Sequence, residues 1–523
     1  MTAVTPYRPR QAAGRDGFAQ ALRSEWTKLR TVRGWVLGLA VSTLLIVLLG
    51  LIFAAGSQSS CSAGPIEVPC PPSPTGPGGE TVEDHFYFVH QPLDGDGSIT
   101  VRVSSLTGQL RKPDATPGVR NVVAGVVPWA KAGVMIKEST RQGSTYAAVM
   151  VTGEHGVRMQ HDFTEDVAGL PGGVSPSAPR WLRLTRTGDT ITGEESADGE
   201  RWTEVGTARL AGSPKKVRIG LFAASPGDLT VSRNPLGGSS TASRFAEATA
   251  VMDRVTLRGP AAGGTWSRDD IGVTIGPDGR PHHPGRSVLS GGTFTVTGVG
   301  DIAPFSEGMP IERLLIGTLM GLIMVIVVAV LFVTVEYRRG LIRTTLIAGP
   351  RRGRTLAAKA VVAAAAAFAC GTIGAAVTVP VGQLMLAANG NLIASTPLLT
   401  ELRVIAGTGG LLAVTAAFAL GLGFLFRRSA MAVVAAVAAF LVPYVLATAS
   451  ILPDEAARWL LRVTPAAGFA IQQSLIEYPQ ASARYAAAEG YYPLLPWAGF
   501  AVTCAYAGLV LGLAAYRLRG RDV

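Results

Sequence analysis

The hydrophobic pattern divides the chain into six long apolar stretches and one large polar insertion. A membrane-spanning helix needs roughly 20 apolar residues, and each stretch meets this length without a charged residue in its interior. The stretches are 35–55, 314–335, 360–388, 404–426, 430–450 and 497–516. A charged side chain at the centre of a membrane helix costs about 2.5–3.5 kcal/mol. The pattern therefore predicts six transmembrane helices, with buried helices of a soluble protein as the alternative.

Composition narrows the class of protein. The 523 residues are 48% hydrophobic and only 16% charged, with a mean hydropathy of +0.32. Soluble domains are about a quarter charged, and disordered chains combine low hydrophobicity with high net charge. Neither a single soluble globule nor a disordered chain is expected. The net charge of +11 would ordinarily suggest a nucleic-acid partner.

The distribution of charge gives a different explanation for that excess. Segments 1–34, 336–359, 427–429 and 517–523 together carry 19 Lys and Arg against four acidic residues. The insertion at 56–313 is slightly acidic. Cytoplasmic loops of membrane proteins carry the excess of Lys and Arg. We therefore expect a multi-pass protein of the plasma (cytoplasmic) membrane with both termini cytoplasmic, residues 56–313 extracytoplasmic, and no nucleic-acid partner. The first stretch is longer than the apolar region of a cleaved signal peptide, which favours an uncleaved anchor.

The polar insertion predicts a β-rich domain between two linkers. Residues 56–80 are rich in Pro, Gly and Ser and contain Cys61 and Cys70, expected as a disulfide on the oxidising side of the membrane or as two free thiols. Residues 81–258 carry short runs typical of strands, with a turn at Asp198-Gly199. The runs are 98–104, 130–137, 145–152, 180–186 and 216–224. This pattern predicts an antiparallel sandwich. Residues 259–313 are expected to form an irregular stalk with one strand near 292–299.

Several of these runs resemble the concanavalin A-like, laminin G-like sandwich, namely KAGVMIKES, WLRLTR, SADGERW, VRIGLFAAS and the closing ATAVMDRVTLRG. Some members of that family bind glycans. Trp129, Trp181 and Trp202 are candidate sugar-binding aromatics, and filling of the core is the other interpretation. No metal site is expected, because a Gly-rich turn explains Asp94 and Asp96 and a solvated loop explains His282-His283.

Two segments on the expected cytoplasmic side show sequence patterns beyond the basic residues that set the orientation of a membrane protein. In FAQALRSEWTKLRTVRG, residues Phe18, Leu22, Trp26, Leu29 and Val32 recur at spacings of three and four, with basic residues on the other sides. This arrangement predicts an interfacial helix. The segment EYRRGLIRTTLIAGPRRGRTLAAK at 336–359 continues a helix and breaks at Gly349-Pro350, which makes it a candidate protein contact. On the opposite side, residues 451–496 contain amphipathic pieces that indicate a lid or a re-entrant hairpin.

These two segments resemble the membrane subunit of an exporter-like ABC transporter of the ABC-2 type, in which an elbow helix and the first cytoplasmic loop contact the ATPase. The resemblance implies a polytopic α-helical protein of six transmembrane helices, here with an inserted all-β sandwich. It also implies a separate ABC ATPase subunit that uses ATP and Mg²⁺, and a second permease half in a homodimer or heterodimer. The implied docking residues are Glu25, Trp26, Lys28, Leu29, Arg30, Glu336, Arg338, Arg339, Thr344, Leu346 and Pro350.

No residue pattern points to catalysis by this chain. A P-loop needs G-x-x-x-x-G-K-[ST], and the nearest string, GPRRGRT, has the wrong spacing and lacks the lysine. We expect a non-enzymatic permease subunit that binds no cofactor of its own. One alternative is a membrane-anchored receptor that binds glycan or envelope polymer through the sandwich. An ion-coupled carrier is a further alternative, weakened because such carriers place ionisable groups inside membrane helices.

Overall fold

The computed structural model describes residues 17–63, 66–68, 73–113, 121–234, 237–260, 264–275, 280–305, 308–340, 352–394 and 396–519. Within these ranges the α-helices are α1 (Phe18–Thr31), α2 (Arg33–Gly56), α3 (Thr318–Arg338), α4 (Arg352–Ala388), α5 (Leu398–Phe426), α6 (Ser429–Thr448), α7 (Asp454–Val463) and α8 (Pro496–Arg519). Three short 3₁₀ segments lie at Ile311–Leu315, Pro465–Gln472 and Ala487–Glu489.

The strands all lie between α2 and α3. In the first half they are β1 (Cys61–Ala63), β2 (Ile66–Val68), β3 (Val82–Asp84), β4 (Phe86–Asp94), β5 (Gly97–Arg111), β6 (Val122–Ala124), β7 (Lys131–Lys137), β8 (Tyr146–Thr152), β9 (Val157–His161), β10 (Glu165–Ala168), β11 (Arg180–Thr187) and β12 (Thr190–Ser196). In the second half they are β13 (Thr203–Arg209), β14 (Lys216–Ala224), β15 (Asp228–Arg233), β16 (Ser239–Arg244), β17 (Ala246–Arg258), β18 (Ser267–Ile271), β19 (Thr274–Ile275), β20 (Pro281–His282), β21 (Arg286–Ser290), β22 (Thr293–Gly298) and β23 (Ile302–Pro304).

Two large antiparallel sheets form a β-sandwich, as the strand pattern predicts. As far as the chain is described, one sheet has the order β10-β9-β8-β7-β14-β4-β18 and the other β13-β12-β11-β5-β17-β22-β21, with β6 paired to β5. Alternate side chains of both sheets meet in one apolar core, for example Val134 and Ile219 from the first and Leu182 and Val296 from the second. The turn at Asp198-Gly199 connects β12 and β13, and Gly199 takes a φ of 80° there, which glycine adopts without strain.

The opposite face of the sheet containing β7 is also covered. The small β3–β23 pair lies over it, and Val82 and Ile302 pack with Phe86, Phe88 and Phe222 in a second apolar cluster. Two ion pairs are buried beneath this cover, Lys137 with Asp84 at 2.8 Å and Lys131 with Asp301 at 2.6 Å. Burial lowers the pKa of Lys137 even though Asp84 opposes that shift.

Six helices among the described residues are long and apolar enough to cross a membrane, namely α2, α3, α4, α5, α6 and α8. Their bounds differ from the predicted stretches by a few residues: α4 and α5 start eight and six residues earlier, whereas α3 starts four residues later. Their facing sides share one continuous apolar core. Small residues allow close approach within it: a Cβ on Gly371 would come within 2.8 Å of Gly409, as expected where membrane helices pack tightly.

The segment between α6 and α8 folds back into the bundle. After the amphipathic helix α7, the 3₁₀ segment Pro465–Gln472 is buried along its whole length. Gln472 donates hydrogen bonds to Thr318 at 3.2 Å and to Thr408 at 2.9 Å, which ties the segment to α3 and α5. A helix and an inserted turn therefore occupy the region where the sequence indicates a lid or re-entrant hairpin.

The structure corrects the boundary of the expected stalk. Within residues 259–313, strands β18, β21 and β22 belong to the two large sheets, with β22 paired to β17 and β18 paired to β4. Sequence alternation finds β22, which pairs with β21 across a two-residue turn, but its other partner, β17, lies more than forty residues earlier and is not visible from local pattern. The proposed Cys61–Cys70 disulfide falls outside the described residues, because Cys70 and the side chain of Cys61 are not among them.

Candidate functional site

The chain turns at Val32, between the N-terminal helix and the first helix of the bundle. Helix α1 ends at Thr31, and Val32, in an extended conformation with φ −89° and ψ 102°, separates it from α2. Leu29 is buried in the bundle core and Leu22 packs against that core. Trp26 remains 48% exposed. Helix α1 is thus an elbow with one face packed on the bundle and the other accessible.

A four-residue ion network joins this elbow to two helices of the bundle. Lys359 Nζ, on α4, lies 2.6 Å from Glu25 Oε2 and 2.7 Å from Glu336 Oε1 on α3. Lys28 Nζ lies 2.7 Å from Glu25 Oε1 and 3.1 Å from Glu336 Oε1. Each carboxylate therefore accepts from both ammonium groups. We call Glu25, Lys28, Glu336 and Lys359 the elbow network.

Most of the elbow network is shielded from solvent. Lys359 is fully buried, with its ammonium 4.5 Å from the centre of the Phe332 ring, a distance suited to a cation–π interaction. Glu336 Oε2 is buried with no hydrogen-bond partner among the described residues. A charge in such surroundings is tolerated only when it is paired. The four groups are mutually neutralising, and removal of any buried member leaves an uncompensated charge.

Lys28 is the solvent-side member of the elbow network. Burial alone would lower the pKa of Lys28, but the hydrogen bonds and charges of Glu25 and Glu336 outweigh it and raise that pKa. Lys28 therefore remains protonated at neutral pH.

The sequence-predicted docking residues separate into two groups. Glu25, Leu29 and Glu336 are buried by contacts within the chain, and direct contact of these side chains with an ATPase stays a prediction. Trp26, Arg30, Arg338 and Arg339 are exposed at the same end of the bundle, and Lys28 lies between the groups. Thr344, Leu346 and Pro350 fall outside the described residues.

Lys359 was not singled out from the sequence. Its partners lie 334 and 23 positions away in the sequence. Lys359 is also one of many basic residues that precede an apolar stretch, and nothing in the sequence separates it from those that only orient the chain in the membrane. One signal for such a residue is present in the sequence. Glu25 is the lone acid within a basic amphipathic helix, which indicates a cationic partner on the side of the helix that faces the bundle.

A second buried polar group lies at the sandwich end of the helices. Glu312, in the 3₁₀ segment before α3, accepts hydrogen bonds from Ser474 N at 2.9 Å and from Ser474 Oγ at 2.5 Å. Its other oxygen is buried with no partner in the described part of the chain. Burial raises the pKa of Glu312, and the Ser474 hydrogen bonds only partly oppose this. The adjacent Arg313 pairs with Glu489 at 2.5 Å. Sequence reasoning missed Glu312 because it precedes the apolar stretch.

The sandwich also contacts the segment between α6 and α8. Gln480 Nε2 donates to the Thr164 carbonyl at 2.8 Å, and Arg233 pairs with Asp454 at 2.9 Å. Burial alone would raise the pKa of Asp454, but Arg233 and Arg484 together lower it. The sandwich is thereby attached to the helices through polar contacts as well as through the chain.

The three predicted tryptophans do not share one surface. Trp129, just before β7, is buried and stacks on His155 with ring centres 4.0 Å apart. Trp181, on β11, points away from the sandwich core beside Arg254. Trp202, between β12 and β13, lies 4.1 Å from the Arg183 guanidinium. A single sugar platform built from all three is therefore not formed, and their individual binding roles stay predictions.

Among the residues described, no group of three or more His, Cys, Asp or Glu side chains is arranged to hold a metal ion. Asp96 Oδ1 instead accepts a hydrogen bond from Gly188 N at 2.7 Å, and His283 lies 3.4 Å from Asp270.

Comparisons with known proteins add little. No protein-family model matches the chain, and no curated protein matches it. Among solved structures, scytalido-glutamic peptidase with a transition state analog inhibitor is 10% identical, covering 41% of this chain and 98% of that chain at a TM-score of 0.25. A functionally unknown protein from Saccharomyces cerevisiae is 12% identical, covering 34% and 76% at 0.21. The alginate lyase from Klebsiella pneumoniae is 10% identical, covering 32% and 61% at 0.17. Similarities this low support no inference about function.

Proposed function

We propose that this protein is the membrane-spanning permease subunit of an ATP-driven ABC transporter, of the exporter-like ABC-2 type, energised by a separate ATPase subunit. The six apolar helices cross the plasma membrane with the elbow end in the cytoplasm and the sandwich outside. The sandwich is of the concanavalin A-like type. Two such chains, or this chain and a related partner, line the transport path.

The observation that carries the proposal is the elbow network. Through Lys359 and Glu336, the elbow helix is held directly to the ends of α3 and α4. A force applied to the exposed side of α1 therefore acts on two membrane helices at once, because separating a buried ion pair leaves uncompensated charges away from water. Such a connection is what an external motor requires.

The surface beside the elbow network has the chemistry of a docking site. Trp26 offers an exposed aromatic, and Arg30, Arg338 and Arg339 offer exposed cations. Trp and Arg are enriched among the residues that dominate protein–protein affinity. We infer that these four residues contact the ATPase, while Glu25, Leu29 and Glu336 act indirectly by holding the elbow in place.

Purification of the tagged chain from its native membrane tests the proposal. We expect a P-loop ATPase to copurify, and its hydrolysis rate to rise when both are reconstituted in nanodiscs. The double variant Arg338→Glu/Arg339→Glu should reduce that stimulation by about thirtyfold or more, since the two reversed contacts together cost about 2 kcal/mol or more. Arg201→Glu/Arg209→Glu, an equally large charge change on the exposed surface of the sandwich, is the matched control. Absence of any copurifying ATPase, or equal effects of the two changes, would contradict the proposal.

A further inference from the structure

A lysine and an aspartate lie in contact, away from water, beneath the β3–β23 pair that covers one face of the sandwich. The side chains of Lys137, on β7, and Asp84, at the end of β3, are both 0% exposed, and Lys137 Nζ lies 2.8 Å from Asp84 Oδ2. Three aromatic rings surround the ammonium with their centres 5.5–6.0 Å away, those of Phe86, Tyr146 and Phe163. Two opposite charges are therefore held together where their charged forms are costly.

These surroundings favour the uncharged forms of the pair. Burial lowers the pKa of Lys137 in spite of the opposing charge of Asp84. Transfer of a proton from Nζ to the carboxylate leaves a free amine beside a carboxylic acid, and a desolvated lysine amine is a nucleophile. Reacting groups held in contact behave as if present at about 10⁵–10⁸ M when they are well oriented. The pair is thus placed for a reaction between its own two members.

The two oxygens of Asp84 have unequal surroundings. Oδ2 accepts hydrogen bonds from Lys137 Nζ and from Gly143 N, both at 2.8 Å. Oδ1 is buried and has no hydrogen-bond partner among the described residues, which is costly for a carboxylate oxygen. Departure of Oδ1 removes the unsatisfied atom and keeps Oδ2, whose Gly143 donor can stabilise the negative charge that develops on Oδ2 when the amine attacks.

We propose that Lys137 and Asp84 condense spontaneously to form an isopeptide bond within the sandwich. The bond between Nζ and Cγ forms, the bond between Cγ and Oδ1 breaks, and Oδ1 leaves as water with two of the three ammonium protons. No oxidant, reductant or cofactor is consumed. The remaining Nζ–H keeps the Ser144 carbonyl oxygen, 2.9 Å from Nζ, as its acceptor. Both buried charges are eliminated.

The bond fastens the cover of the sandwich to a central strand. β3 pairs with β23, the last strand before α3, and β7 lies in the middle of its sheet. Asp84 and Lys137 are 53 positions apart in the sequence, so the bond closes a loop that restricts the unfolded chain and favours the folded one. This inference stands apart from the transporter proposal, because neither the membrane nor an ATPase takes part in the condensation.

The second buried pair, Lys131 with Asp301, provides the matched comparison. Asp301 Oδ1 accepts from Lys131 Nζ at 2.6 Å and from Ile302 N at 2.8 Å. Asp301 also lines a cavity between the sandwich and the helices, where water can solvate the carboxylate and reverse a condensation. We therefore expect this pair to remain ionic.

Mass spectrometry of the purified full-length chain tests the proposal without a ligand or a partner. We expect a mass lower than that of the sequence by one water molecule. After denaturation, trypsin should fail to cleave after Lys137, and a single branched peptide should contain both Lys137 and Asp84. Lys137→Arg keeps the positive charge but cannot form this bond, and it should restore the full mass. Lys131→Arg, in the neighbouring pair, should retain the deficit and the branched peptide.

Separate peptides for Asp84 and Lys137 in the unaltered chain, with no missing water, would overturn the proposal. So would a deficit that persists in Lys137→Arg, since the lost water would then come from other groups. The branched peptide is sought in the unaltered chain, so the test remains decisive even if Lys137→Arg does not fold.

Discussion

Lys359 combines complete burial with two carboxylate partners from distant parts of the chain. Replacing it with methionine leaves Glu25 and Glu336 with one half-exposed partner between them. Loss of one member of a buried ion pair costs about 3–5 kcal/mol, so Lys359→Met should lower the free energy of unfolding by about that amount.

The matched change is Lys28→Met, within the same network but 35% exposed at the side chain. Water can take the place of the half-exposed Lys28 ammonium beside the two carboxylates, so a smaller loss than for Lys359→Met is expected. The combined variant Lys359→Met/Glu25→Gln/Glu336→Gln should recover part of the loss, because no buried charge is left unpaired. Unfolding in mixed micelles measures the free energy of unfolding of all three variants. Equal losses of stability in the two single variants would show that the network is not held by Lys359.

The burial of Glu312 predicts that the stability of the packing at the sandwich end of the helices depends on pH. Its pKa is raised by burial, so the packed form takes up a proton more readily than an open form does. Its stabilising contribution is therefore fully present below its ordinary pKa and is lost as the pH rises through the raised value. The charged and titratable groups that act on Glu312 are Arg403, Tyr444 and Tyr492, with the Arg313–Glu489 pair adjacent.

Hydrogen-exchange protection of residues 473–490, corrected for intrinsic exchange rates, reports this dependence. Protection should fall with rising pH in the unaltered chain and should be nearly independent of pH in Glu312→Gln. An unsatisfied buried polar group costs about 1–3 kcal/mol, which sets the expected size of the change. Glu455→Gln, at a side chain 75% exposed on α7, should behave as the unaltered chain. Persistence of the pH dependence in Glu312→Gln would assign it to another group.

At the scale of elements, the two faces of the elbow helix α1 have different roles. One face packs on the bundle core, and the other is exposed and available to a partner protein. Leu29 is 4% exposed and lies in the bundle core, whereas Trp26 is 48% exposed. Leu29→Ala should cost about 2–5 kcal/mol of stability. Trp26→Ala should change stability by less than about 0.5 kcal/mol while reducing stimulation of the ATPase.

Thermal unfolding and stimulated hydrolysis, measured on both variants, distinguish these roles. If Trp26→Ala left stimulation unchanged, the exposed face of α1 would not be the motor contact. The amphipathic pattern alone does not make this distinction, since it places Trp26 and Leu29 on one apolar stripe.

Local periodicity predicts elements better than it predicts their partners. Apolar length locates the six long helices, and two-residue alternation locates β14 at the bounds observed, 216–224. The elbow network, the Glu312 contacts and the pairings of β18 with β4 and of β22 with β17 depend on contacts between distant residues. No local pattern encodes these pairings. The exposed cations beside the elbow could be anticipated from charge, but the inward direction of Glu25 and Glu336 could not.

At the scale of the whole molecule, the proposed function requires that the elbow end and the sandwich lie on opposite sides of one membrane. The six apolar helices are compatible with this arrangement. The sandwich is held to the helices by the Gln480 and Asp454 contacts, which lie at the opposite end of the bundle from the elbow network.

Cysteine labelling in intact cells tests this arrangement most directly. Arg339→Cys, on the exposed surface beside the elbow network, and Arg201→Cys, on the sandwich, are each compared with the parent chain and its native cysteines. A membrane-impermeant maleimide should label Arg201→Cys in intact cells and should label Arg339→Cys only after permeabilisation. Labelling of Arg339→Cys in intact cells would place the elbow outside, beyond the reach of any ATP-driven partner, and would contradict the proposed function.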